Sequence, residues 1–226
     1  MNVAARPHSL KPIGGVSHVR GDTSVPLLEL TIPELLARTV QAHGPREAAV
    51  FAEQGIRQTW DELSRDVDRF AAGLAALGLE KGDRIGIWSP NRWEWLVTQF
   101  ATARIGLILV NINPAYRLYE LEYALNKVGC RALVLAAKFK TSDYLGMLAQ
   151  LAPELATCAP ARLEAAKLPH LTTVIRMGEE TSPGMFNFAD VLALATPQGI
   201  AALDAVTATL SPTDPINIQF TSGTTG

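Results

Sequence analysis

Arg84-Ile85-Gly86-Ile87-Trp88, followed by Ser89-Pro90-Asn91 and later by Leu107-Ile108-Leu109-Val110-Asn111-Ile112, decides how this chain folds. The first run leaves the turn Glu80-Lys81-Gly82-Asp83 and predicts a strand; the last is almost continuously apolar, the pattern of a strand covered on both faces. Between them, Asn91 with Glu94 forms a capping arrangement for a helix that carries Trp95, Phe100 and Ala103, and Gly106 closes it. A strand, a helix and a second strand of this kind predict a parallel pair joined by a right-handed crossover.

The same rhythm continues outward in both directions. Downstream, Asn113-Pro114 turns the chain, a helix runs from about Leu118 to Val128, and Ala132 to Ala136 and Thr173 to Met177 supply buried strands. The segment between Lys138 and His170 is rich in alanine and broken by Pro153, Pro160 and Pro169, which reads as short helices in a surface excursion. An acidic loop spans Gly178 to Gly184, Asn187 caps a helix through Leu194, and Thr196-Pro197 ends it. Pro212 to Pro215 then feeds a last strand with Ile216, Ile218 and Phe220 on one side.

Upstream, Thr31 and Glu34 form a capping box for a helix whose inner face is Leu35, Leu36, Thr39 and Val40, stopped by Gly44-Pro45. Ala48 to Ala52 reads as a short buried strand that returns as Ile56 to Thr59, a hairpin. A second box, Thr59 with Glu62, opens the clearest helix, with a stripe of Trp60, Leu63, Val67, Phe70, Leu74 and Leu77 ended by Gly78. The predicted class is α/β: a doubly wound, largely parallel sheet with helices on both faces. Residues 1–30 read as an extended N-terminal arm and residues 31–226 as the α/β portion.

Composition removes several function classes. Of 226 residues, 48% are hydrophobic and 19% charged, which marks an ordinary globular chain rather than a disordered one. The net charge of −2 arises from 20 cations and 22 acids without a basic run, so neither a nucleic-acid partner nor a polybasic membrane surface is indicated. Cys130 and Cys158 make no disulfide framework, and His8, His18, His43 and His170 show no metal-ligand spacing, so no metal residue is assigned. The start has no signal-peptide core and no run is long enough to span a membrane; the default compartment is the cytoplasm.

Chemistry concentrates at the end, in Thr221-Ser222-Gly223-Thr224-Thr225-Gly226. Four hydroxyls donate hydrogen bonds and two glycines let backbone N–H groups close around an anion, which is phosphate chemistry. The bland alternative is a flexible Ser/Thr/Gly tail. A strand delivers the loop, as scaffolds deliver binding loops. Yet no Lys, Arg or His follows Arg176, while Glu179, Glu180, Asp190, Asp204 and Asp214 do. Clustered phosphate charge needs a cation, so the missing part is expected beyond Gly226. A Walker-type hydrolase needs a Gly-Lys-Ser or Gly-Lys-Thr that is not here. A non-catalytic doubly wound module that binds a partner or oligomerises is the competitor from another class.

Phe220 to Gly226 resembles the first part of the phosphate-binding signature of the AMP-forming adenylating enzymes, the superfamily of acyl-CoA synthetases, luciferases and peptide-synthetase adenylation domains, where Pro-Lys-Gly follows at once. Thr59-Trp60-Asp61-Glu62-Leu63, Gly82-Asp83-Arg84-Ile85-Gly86-Ile87, Pro90-Asn91, Glu94-Trp95, Gly106, Asn113-Pro114 to Arg117, Glu120-Leu121 and Tyr123 fall in that family's order. The resemblance spans Thr31 to Gly226. Val110 to Arg117 and Asp214 to Phe220 look most like the fatty acyl-CoA synthetase branch.

The resemblance implies attack of a small-molecule carboxylic acid on the α-phosphate of Mg-ATP, then transfer of the acyl group to coenzyme A. ATP, Mg²⁺ and coenzyme A are the implied cofactors. Thr221, Ser222, Thr224 and Thr225 would donate hydroxyls to phosphate, and Gly223 and Gly226 would allow close backbone approach. No catalytic residue is assigned within the chain: the catalytic Lys, the adenine and ribose contacts and the magnesium-binding Glu are expected beyond Gly226. The chain is therefore expected to be an N-terminal fragment without adenylation activity, with exposed apolar surface that leaves homo-oligomerisation open.

Overall fold

The computed structural model describes residues 23–221. Helix α1 (Ile32–His43) opens on the expected Thr31/Glu34 capping box, and the hairpin of β1 (Glu47–Phe51) and β2 (Ile56–Thr59) follows as an antiparallel pair. A second capping box, Thr59/Glu62, opens α2 (Trp60–Ala76), whose Leu63, Val67, Phe70 and Leu74 are buried. Two of the expected inner positions differ. Leu35 of α1 is 41% exposed. The strand expected to be buried is not: Val50 is 43% exposed and no residue of β1 is fully buried, because the hairpin forms a separate two-stranded sheet outside the main one.

The main sheet begins with β3 (Arg84–Trp88), then α3 (Trp93–Arg104), β4 (Ile108–Asn111), α4 (Leu118–Val128) and β5 (Cys130–Leu135). A small antiparallel pair, β6 (Lys138–Phe139) and β7 (Ser142–Asp143), leads to α5 (Tyr144–Leu151). Then come β8 (Thr173–Arg176), β9 (Phe186–Asn187), α6 (Phe188–Ala193), α7 (Pro197–Thr207) and β10 (Asn217–Gln219).

The strand order is β10-β4-β3-β5-β8-β9, and every pairing in this six-stranded sheet is parallel. The chain moves from β3 to β4 on one side, then crosses to β5, β8 and β9 on the other, and finally returns to set β10 beside β4. Right-handed crossovers in opposite directions put their helices on opposite faces. Accordingly α3, α6 and α7 pack with α1 and α2 in one layer, while α4 and α5 contact each other in the second. The doubly wound expectation holds.

Two expectations required correction, and a third is extended. Asn91 does not cap α3; Arg92 is its N-cap residue and makes no side-chain cap bond, because Gln54 of the distant hairpin takes the Trp93 N–H at 2.8 Å. Thr196-Pro197 follows the end of α6, whose C-cap is Leu194, as expected, and it also starts α7: Thr196 Oγ1 accepts the Gly199 N–H at 3.0 Å, and Pro197 occupies the first turn, where a missing N–H costs nothing. The stretch from 138 to 170 is no surface excursion, since Tyr144, Leu148, Leu151, Leu163 and Leu168 are all buried in the core.

The core is closely packed around Trp88, Tyr144 and Phe70, with the Phe70 and Phe188 rings stacked at 4.1 Å. At one crossing the helices touch through backbone. A Cβ on Gly73 of α2 would lie 2.0 Å from the Val191 carbonyl oxygen of α6, so only glycine permits this approach.

Candidate functional site

A cleft of about 480 Å³ opens at the carboxyl ends of β3, β4 and β10. This is where parallel α/β sheets bind ligands, because strand ends and the loops after them diverge there. Its walls come from three strand exits. Ser89 and Asn91 follow β3, with Trp95 one turn into α3; Asn111 ends β4 and is followed by Asn113, Pro114 and Tyr116; Gln219 and Phe220 end β10.

The turn after β4 is fastened by buried aromatic side chains. Asn113 Oδ1 accepts the Ala115 N–H at 2.9 Å, and the Asn113 carbonyl accepts the Tyr116 N–H at 2.9 Å, which together tighten the turn. Beneath it, the Trp88 indole donates to the Asn113 carbonyl at 3.2 Å and the Tyr144 hydroxyl donates to the Pro114 carbonyl at 2.7 Å. The Trp88 and Tyr144 rings stack at 3.7 Å. Burial pushes the Tyr144 phenol up to about 12, against a smaller opposing pull from Arg117, so it remains a proton donor at neutral pH. Above the turn, Tyr116 meets Phe220 edge to face at 6.5 Å, tying the β4 exit to the end of β10.

None of the residues lining the cleft carries a charge. The cleft offers amides, the hydroxyl-bearing residues Ser89 and Tyr116, and aromatic surface instead. Asn111 Oδ1 is shielded from solvent and has no hydrogen-bond partner, an unsatisfied acceptor worth about 1–3 kcal/mol of desolvation. Lys81 serves structure at the opposite end of the sheet, where it pairs with Asp214 at 2.7 Å and donates to the Thr209 carbonyl at 2.9 Å.

Of the six loop residues singled out by sequence, Thr221 is exposed and directly follows Phe220. Ser222, Gly223, Thr224, Thr225 and Gly226 lie outside the described residues. The residues that sequence reasoning missed are Tyr144 and Gln54. Tyr144 lay in a proline-broken stretch without periodicity, and its single signal was an aromatic following Asp143, which caps α5 by accepting the Gly146 N–H at 3.0 Å.

As free cysteines both are expected to be buried: Cys130 is, and burial pushes its thiol up to about 12, whereas Cys158 is partly exposed. His43 and His170 are exposed. Among the described residues, no group of three His, Cys, Asp or Glu side chains could hold a metal ion, and no helix is long and apolar enough to cross a membrane.

Residues 36–226 match the family described as AMP-binding enzyme. The medium-chain acyl-CoA ligase ACSF2, mitochondrial, of Danio rerio is 47% identical over 210 residues, which cover 93% of this chain and 34% of that protein. The chain thus spans about a third of the length of the curated relatives it matches. Among solved structures, the anthranilate CoA ligase AuaEII in complex with anthranoyl-AMP aligns with a TM-score of 0.67 at 20% identity, over 88% of this chain and 34% of that one. A Mycobacterium tuberculosis fatty acyl CoA synthetase aligns with a TM-score of 0.58 at 20% identity, over 85% and 33%. At those identities the two structures speak for the fold, and the family rests on the sequence matches. The chain belongs to the AMP-binding enzyme family.

Proposed function

We propose that this chain is the N-terminal portion of an ATP-dependent, AMP-forming ligase that joins a fatty acid to coenzyme A through an acyl-adenylate. Residues 1–30 are read as an arm and residues 31–226 as the first part of the adenylation domain. The observation that carries this reading is the uncharged cleft at the carboxyl ends of β3, β4 and β10, whose last wall residue, Phe220, runs directly into the hydroxyl and glycine loop. The curated relatives' name, medium-chain acyl-CoA ligase, supports a medium-chain acid as the substrate.

In this reading Thr221, Ser222, Thr224 and Thr225 donate hydroxyls to phosphate oxygens, and Gly223 and Gly226 let backbone N–H groups come close. The cleft takes an uncharged part of the substrates, held by amide hydrogen bonds and aromatic contact rather than by ion pairing. Magnesium would supply charge neutralisation on the phosphates. Among the described residues, no group of three His, Cys, Asp or Glu side chains could hold it. With no Lys, Arg or His after Arg176, the 226 residues by themselves are expected to lack the positive charge that adenylation requires.

The test is thioester formation by the complete enzyme with a panel of carboxylic acids. Medium-chain fatty acids should give the highest kcat/KM, and a preference for aryl acids would overturn that choice. The 226-residue chain should show no ATP–pyrophosphate exchange above background; a measurable rate would refute its inactivity. The cytoplasm is kept as the expected compartment, against the mitochondrial address in the relatives' names, and fractionation of the native host decides between them.

A second reading, a binding or oligomerisation module, draws support from apolar side chains left at the surface. Val25, Leu27 and Leu28 are 77%, 91% and 67% exposed, and Tyr119 of α4 is 78% exposed. Sedimentation across a concentration series measures self-association, and a chain that stays monomeric at high concentration counts against it.

A further inference from the structure

The β1–β2 hairpin lies outside the main sheet, yet one of its side chains reaches the cleft's α3 wall. A single 3₁₀ turn, Ala52–Gln54, closed by Gly55 in the left-handed region at φ 66°, places Gln54 against the first turn of α3. There the side chain bonds twice. Its Oε1 accepts the Trp93 N–H at 2.8 Å, and its Nε2 donates to Glu94 Oε2 at 2.9 Å. A helix N-terminus has unsatisfied N–H groups that are usually capped from the preceding residue; here the cap comes from 39 positions upstream.

The partner of that second bond is itself unusual. Glu94 is 4% exposed, and its carboxylate also accepts two bonds from the Arg92 guanidinium, at 3.1 and 2.9 Å. A buried carboxylate held by three charge-assisted or amide bonds sets the orientation of the turn that carries it. On either side of this fastened pair stand residues of the cleft: Asn91 two positions before Trp93, joined to it through Arg92, and Trp95 immediately after Glu94. Trp93 and Glu94 therefore hold still the segment whose neighbours face the ligand space.

We propose that Gln54 is a positioning residue for the substrate cleft, acting through Trp93 and Glu94 to fix where Asn91 and Trp95 stand. The role in substrate binding rests on the ligase reading above; the mechanical link does not. Gln54→Met keeps the chain length and bulk and removes both hydrogen bonds, so it isolates the bonds from the packing.

In the 226-residue chain, amide exchange and indole resonances followed by NMR read the link directly. Gln54→Met should speed exchange of the Trp93 amide by about tenfold or more and shift the Asn91 amide and the Trp95 indole, with the amides of Val134 and Ile175 unchanged. Faster exchange at Trp93 with Asn91 and Trp95 unmoved overturns the proposal, since the bond would then fasten only itself. Faster exchange at Val134 and Ile175 also overturns it, because the role would be global.

In the complete ligase, Gln54→Met should raise the KM of a substrate about tenfold while kcat stays within about twofold, the signature of lost uniform binding. Asn91→Ala is the control for the reading itself. If Asn91→Ala leaves both KM and kcat unchanged, the cleft is not a substrate site and the ligase reading of it fails, while the exchange data still judge Gln54. If Asn91→Ala raises KM and Gln54→Met does not, the Gln54 proposal fails.

Discussion

The two ends of β3, β4 and β10 are built from different chemistry. At their amino ends the chain is fastened by charge: Lys81 pairs with Asp214, Arg131 pairs with Asp83, and Arg84 donates to the Val128 and Gly82 carbonyls at 2.8 and 3.1 Å. At their carboxyl ends the fastening is done by aromatic donors, Trp88 and Tyr144, that hold a turn from below and leave the cleft uncharged. Exposed ion pairs stabilise little because water screens them, whereas a buried indole or phenol contributes packing and a directed hydrogen bond together. The end proposed to hold a ligand is thus the end supported by buried aromatic side chains.

That contrast is broken most severely at Trp88. Trp88→Ala removes a fully buried ring, its stack on Tyr144 and its bond to Asn113, and should cost about 3–5 kcal/mol, read as a lowered urea midpoint. Trp88→Phe keeps most of the packing and loses the donor, for about 1 kcal/mol. A similar cost for both would mean that the hydrogen bond, not the packing, supports the turn. Next in size, Tyr116→Ala should lower kcat/KM of the complete ligase about tenfold while removing an edge contact worth about 0.5–1.5 kcal/mol of stability. Unchanged kinetics would place Tyr116 among the supports and outside the site.

What could be read from sequence follows the same division. Short-range signals were legible: β3 and α4 have the predicted bounds, and the Thr31/Glu34 and Thr59/Glu62 boxes cap as expected, because both partners lie within three residues. Long-range substitutions were not. Asn91 and Glu94 have capping spacing, but Glu94 is taken by Arg92 and Gln54, and nothing in a local window reveals a donor 40 residues away. Thr196-Pro197 suits a stop and a start equally, since a proline that ends one helix also opens the next. Tyr144 was hidden because its role depends on Pro114, 30 positions upstream. The cleft's polar residues were visible as turn residues, and their convergence required the sheet order.

Two smaller effects sharpen the contrast at the cleft. Asn111→Leu replaces a shielded, unpartnered amide oxygen with an apolar group of similar shape and should raise stability by about 1 kcal/mol while weakening substrate use by the complete ligase. A loss of stability would mean that the amide is satisfied in solution. Glu94 gives a pH signature. Burial alone would push its carboxyl up, but the Arg92 side chain, its own backbone N–H and the Gln54 amide outweigh that and hold it below the usual carboxylate value. Its folded-state pKa being depressed, the stability it contributes is present above the ordinary Glu range and is lost as pH falls through the folded value. Glu94→Gln should flatten the acid limb of the stability profile, and an unchanged limb would assign acid sensitivity to other groups.

The smallest expected effect lies at the charged end. Arg131→Met removes the guanidinium that pairs with Asp83 at 2.5 Å, with Arg131 42% and Asp83 21% exposed at the side chain. Asp83 does not become an orphan, since its Oδ2 still accepts the Glu80 N–H at 2.9 Å, and the Arg131 carbonyl still accepts the Thr172 N–H at 3.0 Å. With water replacing the lost partner, the cost should be about 0.2–1 kcal/mol, measured as a small shift of the denaturation midpoint. Because the whole length of the sheet separates this pair from the cleft, kcat/KM of the complete ligase should not change. A kinetic effect larger than the stability loss would mean that the two ends are coupled through the strands, and the division between a fastening end and a ligand end would no longer hold.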